Sequence, residues 1–161
     1  MAEHADRHGE LPLDPDTGDV RFALRLDAVV LVALGGLAGT AARYAIGRAE
    51  PTRAGAWPWG TFIANVVGAL VLGVLLEALA WSGPDQGWRR RLRLLLGTGF
   101  CGALTTYSTL AVETDLLVRS HDAGLAVGYL AASVAAGLLA TVVGIGGASA
   151  HRRRRPNRYT P

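Results

Sequence analysis

Apolar residues dominate four stretches of the chain: Ala28 to Ile46, Thr61 to Trp81, Leu92 to about Val118, and Gly124 to Ala150. Each is as long as the roughly 20 residues a helix needs to cross a bilayer, and the last is long enough to span with tilt. The first is interrupted only by Arg43 near its end, and the fourth carries no charge. The pattern predicts an all-α integral membrane fold of four transmembrane helices.

The third run departs from an ordinary span between Gly97 and Thr109. Three glycines, Gly97, Gly99 and Gly102, are followed by hydroxyls at Thr105, Thr106, Ser108 and Thr109. With Arg93 and Glu113 as the nearest charges on either side, this polar knot is predicted near membrane mid-depth. Irregular backbone there strands amide and carbonyl groups in hydrocarbon unless it packs in protein or lines a wet cavity or ion site. The third helix is therefore expected to be broken.

Charge is concentrated outside the spans. Residues 1–27 hold seven carboxylates with Pro12 and Pro15. They lack the basic-then-apolar order of a secretory signal and read as a disordered acidic tail. The membrane domain is expected over 28–150, and the basic end 151–161 suits anionic headgroups. Four spans put both termini on one side, and no lysine is present. That side holds twelve arginines (Arg7, Arg21, Arg25, Arg89, Arg90, Arg91, Arg93, Arg152, Arg153, Arg154, Arg155 and Arg158) against four opposite (Arg43, Arg48, Arg53 and Arg119). The bias predicts cytoplasmic termini in a multi-pass protein of the plasma (inner) membrane. The single cysteine, Cys101, excludes an intrachain disulfide and reads as a packing residue.

Small residues four apart recur at Gly35 and Gly39, at Ala69 and Gly73, and at Ala136, Ala140 and Gly144. Such ridges let helix backbones approach closely in lipid. The polar residues at depth are few and neutral. Asn65 shares a helix face with Thr61, and Tyr129 shares one with Ser133. A carboxamide in hydrocarbon must find partners, so an interhelix hydrogen bond competes with a functional role for Asn65. Carboxylate pairs, metal-ligand clusters, nucleophilic triads and phosphate loops do not occur along the spans, so no enzymatic activity, organic cofactor or nucleic-acid partner is expected. Neutral donors without a deep fixed cation suit a small, strongly hydrated anion whose shell must be replaced by hydrogen bonds. Aromatic ring edges such as that of Tyr107 are weakly positive and can assist. Arg43 and Glu113 are the charges nearest the interior and are read either as functional groups or as interfacial ones. Glu77, beside the interfacial Trp81, reads as a solvated helix end. Trp57 and Trp59 suit the interface, and Pro58 suits the start of a helix.

Three ordered motifs converge on one family: G-x-x-G-x-x-A-R-Y from Gly36 to Tyr44, W-P-W-G-T-x-x-x-N-x-x-G from Trp57 to Gly68, and G-F-C-G-A-L-T-T-Y-S-T from Gly99 to Thr109. From about Val29 to Gly147 the chain resembles the CrcB/Fluc fluoride channels. The resemblance implies four-helix subunits paired antiparallel, with two fluoride pores and a structural sodium ion at the dimer centre. By position it implies that Gly102 and Thr105 offer backbone carbonyls to sodium, and that Asn65 orients or contacts fluoride. It implies further that Thr61, Ser108, Thr109, Tyr129 and Ser133 form the polar track, with Glu113 a pore-mouth carboxylate and Arg43 the first-helix arginine. Where the family has two phenylalanines, this chain has Tyr107 and Leu110.

Passive fluoride export, giving fluoride resistance, is the function expected. Because an arginine bias of this size fixes one orientation, the partner expected is a homologous subunit of opposite topology. Two other readings stand beside it. A small proton-coupled multidrug-type transporter wants a carboxylate in the first span, which has none. A non-conducting partner subunit of a heterodimeric channel is the other.

Overall fold

A computed structural model of the protein describes residues 26–53 and 55–153. Its elements are α1 (Leu26–Ala49), α2 (Trp59–Ala80), α3 (Trp88–Leu92), a π-helical segment (Arg93–Cys101), α4 (Gly102–Leu104), α5 (Tyr107–Arg119) and α6 (Ala123–Arg153). These make four helical spans, Leu26–Ala49, Trp59–Ala80, Trp88–Arg119 and Ala123–Arg153, long and apolar enough to cross a membrane. The four-helix fold expected from the apolar runs is present. The acidic tail, apart from Leu26 and Asp27, and the basic end from 154 onward lie outside the described residues.

Most helix ends run past the apolar runs that predict them. The fourth span continues through Arg152 and Arg153, and the third begins at Trp88 rather than Leu92. A helix satisfies its own backbone whether or not its side chains are apolar, so it need not stop where hydrocarbon would.

Packing divides the bundle into two seams. The first half of the third span lies against α1, and α2 lies against α6. At the first seam the backbones touch: a Cβ on Gly35 or Gly39 would run into the Leu95 or Phe100 carbonyl oxygen, and one on Gly99 would sit 2.7 Å from the Val32 oxygen. The second seam is built similarly around Gly73 and Gly144. The ridges of small residues are thus where two pairs of helices meet, as their spacing predicts. Beyond its break the third span changes neighbour and packs on α6, where Leu110, Leu117, Ala126 and Tyr129 form a buried cluster. Cys101 is buried, as expected of a packing residue.

Much of the apolar surface remains uncovered within the chain. Val127, Leu138, Leu139, Val142 and Val143 on α6 are each more than 60% exposed. Apolar area of that extent requires lipid or another subunit against it.

Candidate site at the break in the third span

The break is two residues long. The glycine-rich half stays helical in π form, and the chain leaves helical geometry only at Thr105 (φ −80°, ψ 155°) and Thr106 (φ −150°, ψ 126°). Asn65, from α2, satisfies the exposed backbone. Its Oδ1 accepts from the Thr106 amide at 2.8 Å and its Nδ2 donates to the Thr106 carbonyl at 3.1 Å. The carboxamide replaces the acceptor that a continuous helix would have given the Thr106 amide, which removes the cost of an orphaned N–H at depth, and it adds a second donor to the carbonyl that starts α5. This is the interhelix bond that the sequence raised for Asn65. Asn65 Nδ2 carries a second N–H beyond the one given to Thr106.

The hydroxyls complete the break. Thr106 caps α5, its Oγ1 accepting from the Thr109 amide at 3.2 Å, and it donates to Thr109 Oγ1 at 3.1 Å with Ser108 Oγ 3.2 Å away. Thr105 turns both its amide and its hydroxyl to the Cys101 carbonyl, at 3.0 and 2.9 Å. At two of the carbonyls around the break the helical donor is diverted to a side chain. The Thr106 amide that would close on Gly102 goes to Asn65, and the Thr109 amide that would close on Thr105 goes to Thr106 Oγ1. Carbonyl oxygens released this way are the donor type a hard cation such as sodium takes.

A second polar group gathers around Glu113 of α5. Thr61 of α2 donates to Oε1 at 2.9 Å, and the Tyr129 hydroxyl of α6 donates to Oε2 at 2.7 Å. Tyr129 is fully buried, with the Trp57 ring edge-on to it at 5.4 Å. Glu113 also lines an open cavity of about 400 Å³, together with Thr52, Arg53, Gly55, Ala56 and Pro58 from the α1–α2 connection and Leu116, Leu117 and Ser120 from the end of α5. One turn along α6 from Tyr129, Ser133 is 7% exposed and its hydroxyl has no hydrogen-bond partner among the described residues.

The structure therefore draws the candidate residues into two groups. Asn65 meets Thr106 at the break, with Thr105, Ser108 and Thr109 adjoining in the chain, whereas Thr61, Glu113 and Tyr129 form the mouth cluster, with Ser133 beside it. Tyr107, at 81% exposure, and Gly102, Ser108 and Thr109 lie on the outward face of the span. Leu110, three residues after Tyr107, turns inward against Tyr129. Arg43 is half-buried near the end of α1 and makes no ion pair or hydrogen bond among the described residues.

Three features escaped sequence reasoning. Thr106, not assigned a site role, is the junction of the break; the helix-start spacing of Thr106 and Thr109 was a usable signal. Glu77 is not a free solvated end, because it accepts from the Trp81 indole and from the Ser149 hydroxyl, tying α2 to α6. Trp57, read as interfacial, has a covered indole nitrogen without a partner among the described residues.

The chain is similar to known proteins over most of its length. The family described as CrcB-like protein, Camphor Resistance (CrcB), matches residues 30–145. A relative named fluoride-specific ion channel FluC 1, from Cutibacterium acnes, is 53% identical over 116 residues, covering 71% of this chain and 81% of its own length. A FluC 2 from Leifsonia xyli is 48% identical over 118 residues, covering 73% and 81%. A FluC from Novosphingobium aromaticivorans is 43% identical over 123 residues, covering 74% and 94%. All three names describe channels rather than enzymes. With its helical break, its glycine seams and matched residues spanning all four helices, this chain belongs to the CrcB family.

Proposed function

We propose that the chain is one subunit of a membrane channel that conducts fluoride passively. The observation that carries the reading is the buried pair on α6: Tyr129 and Ser133, one turn apart, are hydroxyl donors with no basic side chain bonded to either, and Ser133 has no acceptor at all among the described residues. Fluoride gives up its hydration shell only where several donors replace it, and a deep fixed cation would hold it rather than pass it. The names of the relatives support the same ion.

In this reading Thr61, Glu113 and Tyr129 form the mouth beside the open cavity, and Ser133 lies deeper. Asn65 holds the break and has one N–H left for the anion. Tyr107, Ser108 and Thr109 complete a path with a second subunit. Arg43, at the end of α1, adds positive potential near the membrane edge. An inside-negative potential drives fluoride outward, at about 2.3 kcal/mol per charge per 100 mV.

The exposed face around Gly102 and Tyr107 fits an antiparallel partner, and the arginine bias favours a homologous subunit inserted the other way, this chain keeping its termini in the cytoplasm. The carbonyls of Gly102 and Thr105 fit a structural sodium ion at that interface. Its charge would hold the two broken helices together.

Fluoride-electrode efflux from liposomes tests the reading, with the chain alone and with its homologue. Flux is expected from the pair, and Asn65→Asp should reduce it to the liposome leak while the protein remains monodisperse, since the fixed charge repels the anion. Wild-type flux from that variant would remove Asn65 from the path. Robust flux from the chain alone would remove the requirement for a partner.

A further inference from the structure

Two buried donors beside Tyr129 have no hydrogen-bond partner among the described residues, Ser133 Oγ and Trp57 Nε1, each with less than 1 Å² of the atom accessible. Ser133 belongs to the path already proposed. Trp57 does not, and its state needs a physical account. A tryptophan at a membrane interface normally keeps its ring in the apolar zone and its N–H wet. Here the N–H is covered by protein, and burying an unsatisfied donor is costly. The ring is held on three sides, by Tyr129 at 5.4 Å and 84°, by Phe62 at 5.8 Å and 73°, and by Trp59 at 5.8 Å. Rotating away to find water would break this aromatic packing. Edge-on contact offers the indole at most an N–H···π interaction, weaker than a hydrogen bond.

We infer that the Trp57 indole N–H is a fluoride donor, meeting the ion beside Tyr129 as it passes between the mouth cavity and the buried hydroxyls. The inference rests on the channel reading above and adds a residue to it. Several observations converge on this position. Pro58, the next residue, lines the cavity that Glu113 also lines. The hydroxyl of Tyr129, the ring Trp57 packs on, is bonded to that same Glu113. The indole is donor-only, so unlike a hydroxyl it cannot turn and present a lone pair to the anion. It is also uncharged, so it contributes to the shell without trapping the ion.

The experiment combines flux and binding on the full chain. Trp57→Phe keeps the ring packing and deletes the N–H; fluoride efflux from liposomes carrying the partner is expected to fall roughly tenfold, the scale of one hydrogen bond to a charged group. In protein with ¹⁵N-labelled tryptophan, the indole resonance absent from Trp57→Phe identifies Trp57. Titrating sodium fluoride should move that resonance, and sodium chloride at equal concentration should not. Unchanged flux in Trp57→Phe, or an indole resonance that ignores fluoride, would overturn the inference, the latter leaving the N–H to a ring face or a water. If wild-type protein moved no fluoride, the channel reading itself would fail, and the titration would still decide whether Trp57 binds the ion.

Discussion

From Arg93 to Leu104 the third span lies against α1 with almost no side chain between the two backbones. From Tyr107 to Arg119 it meets α6 through the side chains of Leu110, Leu117, Ala126 and Tyr129. The first half is positioned by the absence of atoms: glycines on both helices let carbonyl and Cα groups touch. The second half is positioned by what its side chains do, through the Thr106 cap, the Asn65 bridge and the bonds from Thr61 and Tyr129 to Glu113. Steric contact has one solution and does not yield to a passing ion. Hydrogen bonds to hydroxyls can be exchanged for bonds to an anion. A channel needs both kinds of construction, and here they meet at Thr105 and Thr106.

The largest effect is expected at the glycine seam. A Cβ on Gly35 would collide with the Leu95 carbonyl oxygen and stand 2.9 Å from the Phe100 nitrogen, all backbone atoms that cannot rotate away. One residue along the same helix, a Cβ on Gly36 meets nothing within 4 Å. Gly35→Ala should therefore prevent recovery of monodisperse protein after detergent extraction, because overpacking at a rigid contact forces the helices apart. Gly36→Ala should be recovered at wild-type yield and melt no lower, since alanine is the better helix residue. Equal behaviour of the two variants would mean that close approach does not set the seam.

The same contrast separates what sequence could and could not say. Apolar runs announced the four spans because length and hydropathy are local properties. The glycines of Gly97 to Gly102 announced an irregularity but suggested more unwinding than occurs: a π-helix keeps that half helical, and Gly99 serves the contact with α1. That function depends on Gly35, 64 positions away by number, which no local pattern reports. Asn65 was legible as a carboxamide that needs partners, yet not that Thr106 is the partner. Tyr107 and Leu110 stand where the family has two phenylalanines, but sequence did not say that the helix turns Leu110 inward and Tyr107 outward. Glu77 looked solvated because Ser149, its partner on α6, is 72 residues distant.

A smaller effect is expected at the mouth. Tyr129→Phe removes the 2.7 Å bond to Glu113 while leaving the ring between Trp57 and Leu110. Hydrogen bonds to charged groups contribute about 1.5–3 kcal/mol in water-soluble proteins, and interhelix bonds in membranes average nearer 0.6. The variant should remain folded, with its melting temperature lowered by a few degrees, but lose most of its fluoride flux because the donor itself is gone. Unaltered flux would show that the mouth cluster serves architecture alone and would move it to the same class as the glycine seam.

The smallest effect is expected at the junction of the two halves. Thr106→Val keeps the shape and the β-branch that favours an extended backbone, and deletes the hydroxyl that caps α5. Loss of such a cap costs about 1 kcal/mol. The Asn65 bridge uses only the Thr106 backbone, so it survives the substitution. The first turn of α5 should loosen while the glycine seam is untouched, and hydrogen exchange should record this as faster exchange at the Ser108 and Thr109 amides with unchanged protection from Leu94 to Cys101. Loss of protection in both halves would mean that the break transmits disorder, and that the two halves of the span are one cooperative unit despite being built by different means.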